Sequence, residues 1–102
     1  MKIDALNLST MHSGNLCLEL SECIDWDAFP AYIADILKRT SGKIIDKNDA
    51  PDMRIWKIEI DAQEVRAVYE DYPQMVSIES NSSGANTVIK KLFGRFKTEL
   101  GS

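Results

Sequence analysis

The sequence predicts an α+β domain, a two-layer sandwich in which an antiparallel β-meander carries two helices on one face, in the order ββα-βββα. Three observations carry that expectation. Met53 to Ser80 alternates apolar and polar residues with a period of two, the mark of antiparallel strands with one buried and one wet face. Asp27 to Gly42 and Val88 to Leu100 instead repeat apolar residues at helical spacing. Two amphipathic helices beside a one-sided sheet bury their stripes most simply by covering its apolar face. A chain of 102 residues is expected to form one domain over its whole length, 1–102.

Taken in order, Ile3, Leu6 and Leu8 mark a first short strand, and Ser13-Gly14-Asn15 punctuates a turn. Leu16, Leu18 and Leu20 alternate with Cys17 and Glu19, predicting a second strand that pairs with the first and joins the meander. Asp27 is the preferred cap of the first helix, because it leaves Pro30 in the first turn. Phe29, Tyr32, Ile33, Ile36 and Leu37 form its stripe, Lys38 and Arg39 suit its C-terminal dipole, and Gly42 supplies the stop. Lys43 to Ile45 begins a strand or leads into the meander, and Asp46 to Asp52 reads as an acidic loop.

In the meander, Trp56, Ile58 and Ile60 oppose Lys57 and Glu59; Val65, Ala67 and Tyr69 oppose Arg66 and Glu70; Val76 and Ile78 oppose Ser77 and Glu79. A first hairpin closed by Asp61 to Glu64 sets Ile58 against Ala67, Trp56 against Tyr69 and Glu59 against Arg66. A second, closed by Asp71 to Gln74, sets Ala67 against Ile78 and Arg66 against Glu79. Arg66 is then expected between two carboxylates. Ala62-Gln63 is not a favoured two-residue turn, so a bulge is expected there. The last helix carries Val88, Ile89, Leu92, Phe93, Phe96 and Leu100 on one face and Lys90, Lys91, Arg95 and Lys97 on the other.

Hydrophobic residues at 44% and charged residues at 27% are ordinary for a globular domain. A formal charge of −4 argues against a generic nucleic-acid binder and suits a basic protein partner. No apolar run reaches membrane-spanning length and no signal segment opens the chain, so a cytoplasmic location is expected. Cys17 and Cys23 read as free thiols.

Chemistry has little to stand on. His12, Cys17 and Cys23 match no common zinc spacing, and Asp46, Asp49 and Asp52 lack the glycine and distal glutamate of a calcium loop, so no metal or cofactor is expected. The turn Asn81 to Asn86 precedes a helix but has no Gly-Lys-Ser/Thr ending, and reads as a cap rather than a phosphate loop. No acid/base pair or nucleophile is marked by spacing, so a non-enzymatic role is favoured.

The helix, three strands and helix from Asp27 onward resemble a double-stranded-RNA-binding domain, with Ser83, Gly84, Lys90 and Lys91 at its last helix. The lysines come a turn late, the first helix is acidic, and the basic loop is missing. Nucleic-acid binding through Lys90, Lys91, Arg95 and Lys97 is thus the alternative. Over most of its length the chain also resembles small single-domain bacterial proteins of a family with no assigned function. Trp26 and Phe29 opening the helix, Pro51-Asp52 before Trp56, and Tyr69-Glu70-Asp71 carry that resemblance, which implies no activity. The leading expectation is a protein-interaction or regulatory module. It docks its partner on the open face or edge of the sheet through Ile55, Lys57, Glu59, Arg66, Val68, Glu70, Met75 and Glu79.

Overall fold

The computed structural model describes residues 1–101. Its elements are β1 (Asn7–Thr10), β2 (Leu16–Ser21), α1 (Phe29–Thr40), β3 (Lys43–Ala50), β4 (Met53–Ile60), β5 (Gln63–Asp71), β6 (Gln74–Ser80) and α2 (Ser83–Gly101). The strands form one six-stranded antiparallel sheet in the order β1-β2-β6-β5-β4-β3. The fold is the expected α+β sandwich with one strand more, ββα-ββββα. That strand is β3, which turns most of the expected acidic loop into a ladder running to the pair Ala50–Met53. Every residue of β3 is exposed. Wet on both faces, such an edge strand has no apolar alternation to betray it. No helix among the described residues is long and apolar enough to cross a membrane.

The β4–β5 hairpin differs from its expected register. It closes through Asp61-Ala62 alone, both left-handed with φ of 53° and 63°, and without a bulge. Such a mirror-image turn matches the twist of the flanking strands, whose pairing holds it against its local cost. Ile58 therefore faces Val65, Trp56 faces Ala67 and Lys57 faces Arg66. The shift is by two residues, so every side chain keeps its face. The β5–β6 register is the expected one, Ala67 opposite Ile78 and Arg66 opposite Glu79.

Entry into α1 also differs. The Asp25 carboxylate, not that of Asp27, accepts a hydrogen bond from the Ala28 N–H at 2.8 Å, and Pro30 falls in the first turn as expected. At the exit Ser41 takes the left-handed conformation, φ 55°, and the Gly42 N–H reaches the Leu37 carbonyl at 2.9 Å. Glycine is demanded at 42 by crowding: a β-carbon there would sit 2.7 Å from the Glu59 carbonyl oxygen. Helix α2 is capped by Ser82, whose Oγ accepts from the Ala85 N–H at 3.1 Å. Ala85, Val88, Ile89, Leu92 and Phe96 of α2 are buried, whereas Leu100, expected on the same face, is 54% exposed.

Both helices pack on one side of the sheet. There Leu18, Leu20, Phe29, Ile33, Ile36, Ile58, Val65, Ala67, Val76, Ile78, Ile89 and Phe96 are fully buried. The Phe29 ring lies 5.0 Å from Trp56 and 5.8 Å from Tyr69, both tilted contacts that aromatic quadrupoles favour. Arg54 enters the same layer, its guanidinium 4.2 Å from the Trp26 ring.

Candidate functional site

The other face of the sheet carries neither helix. Register places Ile55, Lys57, Glu59, Arg66, Val68, Glu70, Met75 and Glu79 on it together. Cross-strand rows run Asp46–Lys57–Arg66–Glu79–Cys17 and Asn48–Ile55–Val68–Ser77–Glu19, with Glu70 opposite Met75 to one side and Glu59 opposite Glu64 to the other. Cys17 and Glu19 of β2, and Asp46 and Asn48 of β3, join a surface that the local pattern confined to the meander. The alternation of Cys17 and Glu19 with leucines was the only signal for the first pair. Pairing of β2 with β6, residues as far apart in sequence as Cys17 and Glu79, is what brings them here.

Val68 and Ser77 are only 3% and 6% exposed although no helix covers them. Long charged side chains flank this strip, and such residues lay apolar stems along neighbouring surface while keeping their charges in water. Glu19, Glu59, Glu64, Glu70 and Glu79 outnumber Lys57 and Arg66 on the four strands β2, β4, β5 and β6, so carboxylates dominate. Ion pairs join Arg66 to Glu79 at 3.2 Å and Lys43 to Glu59 at 3.4 Å. Arg66 thus has one expected carboxylate, Glu79, whereas the two-residue shift puts Lys57 where Glu59 was expected. Burial, together with Glu79 beside it, pushes the Cys17 thiol up to about 11, so it is no nucleophile at neutral pH.

The basic residues of α2 are dispersed. Lys91 pairs with Asp61 at 3.2 Å, and Arg95 reaches Glu99 at 3.6 Å and donates to the Arg39 carbonyl at 2.7 Å. The Lys97 ammonium lies 5.6 Å from the Phe93 ring, and Lys90 is exposed. A cavity of about 360 Å³ opens between α2 and the end of α1, over Ile60, Val88 and Leu92, and its rim is this same ion-pair network. Asp46 and Asp49 lie on opposite faces of β3, Asp49 accepting from the Trp56 indole N–H at 2.9 Å. Among the described residues no three His, Cys, Asp or Glu side chains cluster as a metal would require.

A family model described as protein of unknown function (DUF3630) matches residues 6–95. No curated protein and no solved structure matches the chain.

Proposed function

The chain belongs to this DUF3630 family, whose function is unknown, and we propose that it is a protein-docking module whose open sheet face receives a basic protein partner. What supports the reading is a sheet face with no covering layer, on which carboxylates ring half-buried Ile55 and Met75, with Val68 buried beside them. Apolar area supplies contact, and the acidic ring supplies steering and selection for positive charge. In this proposal the module is bacterial, cytoplasmic and non-enzymatic. The test is binding of a lysine- and valine-rich peptide at low and high salt, followed by fluorescence anisotropy. Charge reversal of Glu59, Glu70 and Glu79 to lysine is expected to cut affinity about tenfold or more. Binding that ignores all three reversals overturns the reading.

Nucleic-acid binding through Lys90, Lys91, Arg95 and Lys97 remains the alternative proposal, and has less support because Lys91 and Arg95 already meet carboxylates. It requires a gel shift that falls steeply with salt and disappears when these residues are changed to glutamate.

A further inference from the structure

Resting on the docking reading, we infer that the centre of the open face is a carboxylate subsite, where Lys57 and Arg66 together hold an acidic side chain that the partner carries between its basic residues. The two cations are direct cross-strand partners, so their β-carbons stand roughly 5 Å apart on one face, an arrangement that disfavours like charges. Asp46 lies beyond Lys57 in the same row and Glu79 beyond Arg66, giving the order negative, positive, positive, negative. One carboxylate over the middle pair, with cations on either side, is the complement of that row.

The middle pair is only partly neutralised from within. Lys57 forms no salt bridge among the described residues. Arg66 meets Glu79 through one Nη, and its buried Nε–H finds no acceptor. The Nε of Arg54 is also buried without a hydrogen-bond acceptor, but it has Asp49 at 3.9 Å and its guanidinium lies over aromatic rings, whereas among the described residues no ring faces Arg66. Ile55 and Val68 in the neighbouring row lower the local polarity, which strengthens an ionic contact made there.

The test uses the full chain and two five-residue peptides, Lys-Lys-Glu-Lys-Lys and Lys-Lys-Gln-Lys-Lys, with the Arg66 Nε–H resonance followed by ¹⁵N NMR. On an acidic face without the subsite, the more positive glutamine peptide binds more tightly. The subsite instead predicts that the glutamate peptide binds about tenfold more tightly and shifts the Arg66 resonance. Lys57→Met is expected to abolish that preference while the glutamine peptide still binds. Equal or inverted affinities, or a preference that survives Lys57→Met, overturn the subsite and leave the docking reading standing. No binding of either peptide overturns both.

Discussion

Two arginines on adjacent strands, one on each side of the sheet, are held in opposite ways. Arg54, on the covered side, lies 4.2 Å from Trp26, 5.7 Å from Trp56 and 5.9 Å from Phe29, with Asp49 3.9 Å from its Nε. Its charge is offset by π faces and by the Asp49 carboxylate. Arg66, on the open side, shares with Arg54 a buried Nε–H without an acceptor, but among the described residues it has one ion pair, no aromatic ring and a lysine for its β4 neighbour. The covered side has resolved its electrostatics by packing. The open side retains a conflict that folding alone does not require, and such a conflict is where function is looked for.

The contrast is broken or sharpened by substitution. The largest effect belongs to the covered side: Phe29→Ala should destabilise by about 3–5 kcal/mol in urea unfolding, since its ring is fully buried between Trp56 and Tyr69. Next, Arg54→Ala should cost about 2 kcal/mol through lost ring contacts. Arg66→Ala, half-buried and held by its ion pair to Glu79, should cost less than about 1 kcal/mol. Equal costs at the two arginines would erase the difference between the two sides of the sheet.

Alkaline titration probes the same difference. Burial, and then the hydrogen bond its hydroxyl donates to Asp71 at 2.6 Å, pushes Tyr69 from about 10 up to about 12. The fold favours the neutral phenol, so Tyr69 contributes fully below pH 10, and that contribution is lost as pH rises through 10 towards 12. Tyr69→Phe should flatten that part of the stability profile. The smallest expected change is a gain: in an Asp46→Asn background, which removes the carboxylate on the other side of the row, Lys57→Glu gives Arg66 a carboxylate opposite and should stabilise by a few tenths to about 1 kcal/mol. A loss of stability there would show that Lys57 and Arg66 are not in conflict. On the reactivity side, a thiol reagent near pH 8 should label exposed Cys23 well before Cys17.

Most of the covered face was legible in the sequence. The stripe Phe29, Tyr32, Ile33, Ile36 and Leu37 is buried as its spacing predicts, and the β5–β6 register follows from the alternation and the turn. The open face was legible by side but not by neighbour. Asp46 and Asn48 escaped because β3, wet on both sides, has nothing apolar to keep in phase. The pairing of Arg66 escaped because Asp61-Ala62 lacks the glycine that a mirror-image turn favours, and only the ladder on either side holds it.

By itself, then, the sequence determined which side of each strand and helix is apolar, because the period of two and the period of 3.6 are local properties of the backbone. Tertiary structure alone decided which residues meet: Lys57 with Arg66, Cys17 with Glu79, Gly42 with the Glu59 carbonyl. Those meetings depend on strand neighbours and turn closures, and a two-residue slip changes every pair while leaving every face intact. The charges that suggest a partner are therefore readable in the chain, and their arrangement exists only in the folded sheet.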